Sequence, residues 1–377
     1  MPGGNARADT TDYLKLFVQD RPLLDVRAPI EFNQGAFPNA SNCPLLDDRQ
    51  RELVGTRYRE GGQDAAIALG LELATPELRE QRLASWRSFC EQHPDGYLYC
   101  FRGGLRSHLT QQWLREAGID YPLVHGGYKA LRSFLLEAME QCLLQVPLLV
   151  VGGPTGAGKT ALLQACGPAL DLEALAQHRG SAFGATLQAQ PAQISWENRV
   201  AIALLKHCHG PQRQQPLLVE DESRLIGRIW VPLVLQQALV RAPMLVLDTP
   251  LDQRIAAIRR DYIDLPWQQY RQHFGAAANA HFTAFVLDNL ARIRKRLGGV
   301  CHGAIHQQFS TALQLLFRQD DSSGFDPGIR QLLLEYYDPM YEHLLRKRQQ
   351  QICLRANAAT LQDWLRERAI HMETAVA

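Results

Sequence analysis

Leu148-Leu149-Val150-Val151-Gly152-Gly153-Pro154-Thr155-Gly156-Ala157-Gly158-Lys159-Thr160, followed by Ala161-Leu162-Leu163-Gln164, decides how the second half of this 377-residue chain folds. Four consecutive apolar residues read as a buried strand, the glycine-rich stretch breaks it, and the residues after Thr160 read as a helix. In that context the spacing GxxxxGK[ST] makes a cradle for a phosphate chain. Gly153, Gly156 and Gly158 let the backbone wrap an anion, Lys159 supplies a point charge, and Thr160 can reach a magnesium ion. The motif specifies a diphosphate-like group; it does not by itself specify a nucleotide.

Upstream, a helix-like run from Tyr128 to Gln145 is broken by Pro147, which places a domain boundary between 1–145 and 146–377. In the first of these, Leu23-Leu24-Asp25-Val26-Arg27 and Tyr97-Leu98-Tyr99-Cys100 read as strands ending in reactive or charged residues. Leu105, Leu109 and Trp113-Leu114 recur at helical spacing up to Gly118, and Leu123-Val124 reads as a third strand before Gly126-Gly127. Strands alternating with helices predict an α/β protein with mainly parallel sheets, its active loops at strand C-terminal ends.

One such loop is Cys100-Phe101-Arg102-Gly103-Gly104-Leu105-Arg106-Ser107. It combines a thiol, two guanidinium groups, two glycines and the start of a helix, all of which favour thiolate over thiol. Read as C-x5-R-S, it has the pattern of cysteine-dependent phosphatases, a loop able to wrap a tetrahedral oxyanion with Arg106 as a bidentate clamp. Cys100, Arg102 and Arg106 are therefore the catalytic candidates.

Net charge is only +1, from 40 Lys and Arg against 39 Asp and Glu, which excludes a polycationic tail but not a local basic face. The eight cysteines show no CxxC spacing and fit neither a zinc site nor a disulfide framework, so those other than Cys100 read as small buried hydrophobes. No apolar run is long enough for a bilayer, and a cytoplasmic protein without membrane partners is the expectation.

Three acidic groups follow the phosphate loop: Asp171-Leu172-Glu173, Glu220-Asp221-Glu222 after an apolar run, and Asp248. Carboxylates at strand ends beside such a loop are placed to hold magnesium or act as a base, and Asp171, Glu220 and Asp221 are the candidates; solvated strand ends are an equal alternative for any one of them. Arg292, Arg294, Lys295 and Arg296 cluster before Gly298-Gly299 and are candidate nucleic-acid contacts, although composition alone favours a solvated helix face. Tyr336-Tyr337-Asp338-Pro339-Met340-Tyr341 offers rings for stacking or packing.

Asp25-Val26-Arg27 with Glu31-Phe32, Gly35-Ala36-Phe37-Pro38-Asn39-Ala40 and the Cys100 loop resembles a rhodanese domain in order and spacing. A rhodanese-like domain ahead of a P-loop NTPase-like domain with a helical C-terminal part resembles the tRNA 2-selenouridine synthase family over almost the whole chain. Val54-Gly55-Thr56, Gly126-Gly127-Tyr128-Lys129, His178-Arg179-Gly180-Ser181 with Phe183-Gly184, Glu220 to Arg224, Lys295 to Gly299 and Tyr336 to Tyr341 carry the likeness. Cys43 departs from it, standing where an aliphatic residue is usual before Pro44.

The resemblance implies a transferase that takes tRNA with wobble 2-thiouridine, adds a geranyl group to its sulfur from geranyl diphosphate, and then replaces S-geranyl with selenium from selenophosphate. It implies these two co-substrates, Mg²⁺ as a further candidate, and a selenophosphate-producing enzyme as a candidate partner. It gives the P-loop the diphosphate and Cys100 the selenium donor, as carrier or as a group assisting displacement. It also demands an apolar geranyl pocket, for which Phe183 and Trp196 are candidates, though both also read as core. The rival reading is a rhodanese-type sulfurtransferase or cysteine phosphatase with a regulatory P-loop domain; a nucleotide kinase or ATPase accounts for the P-loop and not for the thiol.

Overall fold

The computed structural model describes residues 7–374, with side chains as far as residue 367. It divides into two compact units, one running to residue 144 and including Ala192–His209, the other comprising Gln145–Pro191 and the chain from Gly210 onward.

In the first unit, β1 (Leu23–Asp25), β2 (Ala40–Asn42) and β3 (Tyr97–Tyr99) form a parallel sheet in the order β2-β1-β3. Leu24 and Leu98 are fully buried, and the core continues through Trp86, Phe89, Trp113 and Leu114. Leu123-Val124, read from sequence as a strand, makes only single parallel bridges, Leu98 to Leu123 and Thr10 to Val124. The turn at Gly126-Gly127 ends the segment before a ladder can extend. The helix after the Cys100 loop runs Leu105–Glu116, and Gly118 takes the left-handed conformation that stops it. Cys43 packs against this core, its carbonyl accepting from the Trp86 indole N–H at 2.9 Å.

One helix from beyond residue 146, Gln193–His209, belongs to this first unit. Asn198 on it donates to the Ala36 carbonyl at 3.0 Å and accepts from Arg132 at 2.8 Å, and Glu197 pairs with Arg132. Trp196 is fully buried there.

In the second unit, β4 (Leu148–Gly152), β5 (Ala169–Leu170), β6 (Leu217–Glu220), β9 (Met244–Leu247) and β10 (Ile352–Ala356) form a five-stranded parallel sheet in the order β10-β9-β4-β6-β5; β7 (Leu225–Ile226) and β8 (Ile229–Trp230) make a separate hairpin. Every residue of β4 is buried, as a central parallel strand requires. The chain visits β5 and β6 on one side of β4, then β9 and β10 on the other. The phosphate loop therefore leaves the sheet at its switch point, beside the C-terminal ends of β6 and β9. From Leu251 to Lys347 the chain is helical around its own core of Trp267, Phe282, Phe309 and Phe325. Two π-helical turns, Arg260–Asp264 and Leu333–Tyr337, interrupt these helices. Among the described residues, no helix is long and apolar enough to cross a membrane.

Candidate functional site

Each unit presents one constellation. In the first, the Cys100 loop is braced backbone against backbone. Gly103 has φ +63, and a Cβ there would lie 2.6 Å from the Gly126 amide nitrogen; a Cβ on Gly127 would collide with the Cys100 carbonyl. Only glycines on both sides permit this approach. Tyr128 and Lys129 amides donate to the carbonyls of Cys100 and Phe101 at 2.8 and 2.9 Å, so the Gly126 to Lys129 motif serves to hold the thiol loop.

Cys100 is buried, and its thiol donates to Ser107 Oγ at 3.3 Å at the N-terminal end of helix Leu105–Glu116. Arg102 is exposed. Arg106 is not a free clamp: both its terminal nitrogens donate to Glu31, at 2.6 and 3.1 Å. Burial raises the Glu31 carboxyl, and the Arg106 hydrogen bonds and charge outweigh it, leaving Glu31 below its ordinary value. An oxyanion on this loop would meet Arg102, the loop amides and those Arg106 N–H groups that Glu31 does not occupy. Behind it, Arg27 pairs with Asp25 in full burial and donates to the Glu31 and Gly35 carbonyls at 3.2 and 2.8 Å, while Tyr99 OH donates to Asp25 at 2.6 Å. The Asp25-Val26-Arg27, Glu31 and Gly35 signature thus forms one buried network under the loop.

In the second unit, Lys159 folds back on its loop, donating to the Gly153 carbonyl at 3.3 Å. Gly156 has φ +80, and a Cβ there would sit 2.8 Å from Ile258 and 2.9 Å from the Arg254 carbonyl. Arg254 clamps the loop from outside. Its Nε donates to the Thr155 carbonyl at 2.9 Å, and its other nitrogens hold Asp338 at 3.0 and 2.5 Å. The Tyr336 to Tyr341 motif therefore acts through Asp338 as a support for the phosphate loop, with Tyr337 packed as core.

Thr160 donates to Glu220 Oε1 at 2.7 Å. Glu173, Glu220 and Glu222 each bring a carboxylate oxygen within 4.8 Å of the others. Burial, followed by the charges of Glu173 and Asp171, pushes Glu220 up to about 7. Burial likewise raises Glu173 and Glu222, which hydrogen-bond to each other. Glu220 Oε2 is buried without a hydrogen-bond partner, an orphan that a divalent cation would satisfy, and all-oxygen donors suit magnesium. Of the sequence candidates, Glu220 lies in this cluster. Asp171 instead caps the helix Leu172–Ala176 through the Ala174 amide at 2.8 Å, and Asp221 pairs with Arg348. Glu173 and Glu222 belong to two of the acidic groups read from sequence, the Glu220 to Glu222 run being the favoured one, but were not named as ligands themselves, because their meeting depends on where β5 and β6 bring those groups together.

A narrow cavity of about 40 Å³ opens from Thr155 of the phosphate loop and runs between Ser181, Phe183, Ile258, Phe309 and Ile329. Both π-helical turns face it, through Tyr262, Ile263, Leu333 and Tyr337, a placement common for such turns at functional sites. Of the two geranyl-pocket candidates, Phe183 lines this cavity and Trp196 does not, being core of the first unit. Arg292, Arg294, Lys295 and Arg296 lie exposed along Ala278–Arg292 and Arg294–Leu297, with Arg292 donating to Asn289 at 2.9 Å.

Residues 146–372 match the family model described as the tRNA 2-selenouridine synthase AAA domain. Curated proteins named tRNA 2-selenouridine synthase are similar over nearly the whole chain. The one from Marinobacter nauticus is 45% identical over 96% of this chain and 99% of its own length; that from Serratia proteamaculans is 46% identical over 97% and 98%; that from Shewanella woodyi is 43% identical over 94% and 96%.

Proposed function

The chain belongs to the tRNA 2-selenouridine synthase family, and from that membership we propose that it is a cytoplasmic enzyme converting wobble 2-thiouridine of tRNA to 2-selenouridine through an S-geranyl intermediate. The observation that carries the geranyl step is the continuity of the phosphate loop with an apolar cavity at Thr155. One ligand that is anionic at one end and hydrocarbon at the other satisfies both halves, and geranyl diphosphate is such a ligand.

In the first step the thiouridine sulfur attacks C1 of geranyl diphosphate. The S–C1 bond forms, the C1–O bond breaks with its electron pair going to diphosphate, and the N3 proton is released. Lys159 and the loop amides of Gly153, Gly156 and Gly158 meet the charge that grows on the leaving group. Glu173, Glu220 and Glu222 with Thr160 would hold a divalent cation, which supplies further positive charge against the diphosphate. The cavity of about 40 Å³ has room for only about three waters at roughly 10–15 Å³ each, so seating a geranyl chain requires a wall side chain such as Phe183 to move.

In the second step selenium from selenophosphate adds at C2 of the base, the C2–S bond breaks to release geranylthiol, and hydrolysis of the Se–P bond yields phosphate. The first unit is the proposed seat of the donor: its rhodanese-like loop offers the Arg102 cation, amides and the Cys100 thiol to a tetrahedral anion. A selenophosphate-producing enzyme is the corresponding partner.

The division of labour is tested with Lys159→Ala and Cys100→Ser. Lys159→Ala should lose S-geranylation yet convert tRNA already bearing S-geranyl-thiouridine, and Cys100→Ser should do the reverse. The opposite pattern defeats the assignment.

A further inference from the structure

A second cavity, of about 550 Å³, lies on the other side of Phe183 and Tyr262, which line both spaces. Its character differs from the first. Four carboxamides, Gln177, Gln188, Gln269 and Gln272, look into it. Arg179 stands at its wall with its guanidinium 5.6 Å from the centre of the Tyr262 ring, fixed by donation to the Asp261 carbonyl. We propose that this cavity seats the target pyrimidine base of the RNA, unstacked from its neighbours, with its sulfur directed past Phe183 and Tyr262 toward the prenyl chain. The proposal rests on the tRNA-modifying reading above and names the substrate's place within it.

Three observations converge. The volume falls in the roughly 300–1,000 Å³ range of small-ligand sites. Aromatic rings with amides match how single-stranded RNA bases are taken, by stacking and by hydrogen bonds to the Watson–Crick edge. A carboxamide both donates and accepts, so one glutamine can satisfy N3–H and O4 of a 2-thiopyrimidine while leaving the sulfur unblocked. The third is conformational. Gln177 is held at φ 52, ψ 42, in the left-handed region. The other two described non-glycine residues with positive φ are Asp20 and Asp320, and aspartate tolerates that region far better than glutamine. The Gln177 carboxamide has no hydrogen-bond partner among the described residues. The left-handed stop of helix Leu172–Ala176 falls to Gln177, where glycine is the commoner residue, so the glutamine side chain is the part of this residue left to serve the cavity.

Gln177→Gly removes the carboxamide and relieves the backbone, so it separates function from folding. Full-length protein is titrated with two anticodon stem-loops, one carrying 2-thiouridine at the wobble position and one abasic there, with geranyl diphosphate affinity measured alongside. Wild type should prefer the thiouridine stem-loop by about tenfold or more. Gln177→Gly should abolish most of that preference with Tm unchanged or higher and geranyl diphosphate affinity unchanged; Gln272→Ala, at an exposed position, should weaken it in the same direction. If both variants keep the full preference while wild type binds and modifies the RNA, the base lies elsewhere and the tRNA reading stands. If wild type neither binds nor modifies the stem-loop, both fall.

Discussion

Glu31 holds Arg106 with both carboxylate oxygens, at 2.6 and 3.1 Å, and Glu31 Oε2 also accepts from the Ala28 amide at 3.1 Å. The arginine that the C-x5-R spacing marks as an oxyanion clamp is thus tied to the segment Ala28 to Glu31, and through Arg27 to the sheet beneath. Its pairing with Glu31 fixes the thiol loop and leaves the remaining guanidinium N–H groups for an anion.

This pair should show itself in acid. Because Glu31 sits below its ordinary value when folded, its contribution is complete above the unfolded value near pH ~4.3 and is lost as pH falls through the folded value. Glu31→Gln should destabilise the first unit by about 1–3 kcal/mol at pH 7, and the gap from wild type should shrink as pH drops toward about 3. Thermal unfolding across that range measures it; parallel curves would remove Glu31 from the account.

Asp338→Asn should loosen the phosphate loop without touching it. Arg254 is 5% exposed, and leaving it without a charged partner should cost about 2–4 kcal/mol and raise KM for geranyl diphosphate. Arg254→Lys, which cannot serve Asp338 and the Thr155 carbonyl together, should do the same. An unchanged KM in both would mean that the clamp does not govern the loop.

Magnesium should stabilise the second unit through Glu220. Saturating Mg²⁺ at one hundred times its Kd adds about 2.7 kcal/mol, visible as a Tm increase at pH 8. Glu220→Gln should erase most of the response. Asp171→Asn should retain it, since asparagine caps a helix as well as aspartate does. An equal loss in both variants would return Asp171 to the cation site.

Phe183→Ala should widen the prenyl cavity. Use of farnesyl diphosphate relative to geranyl diphosphate should rise by about tenfold or more, read from kcat/KM for each donor. Unaltered selectivity would place the chain elsewhere.

How much of this was legible in the sequence varies with the range of the interaction. The phosphate loop and the Cys100 loop were readable because each is a contiguous run whose glycines, charges and flanking apolar residues are fixed by local geometry. β10 was not, since Ile352–Ala356 is a half-buried edge strand whose partner β9 lies about a hundred residues earlier. The same holds for Glu173 and Glu222, for the clamp from Asp338 through Arg254 to Thr155, and for Glu31 claiming Arg106. Each depends on where distant segments meet, and spacing along the chain carries no signal for that. Helix Gln193–His209 joined the first unit for a comparable reason: Asn198 and Glu197 find Ala36 and Arg132 in space, while sequence order put them with the second.

The central claim is most directly tested by nucleoside mass spectrometry of 2-thiouridine tRNA incubated with the full-length protein, geranyl diphosphate and selenophosphate. S-geranyl-2-thiouridine should accumulate when selenophosphate is withheld and give way to 2-selenouridine when it is added. Thiouridine left unchanged under both conditions would contradict the account.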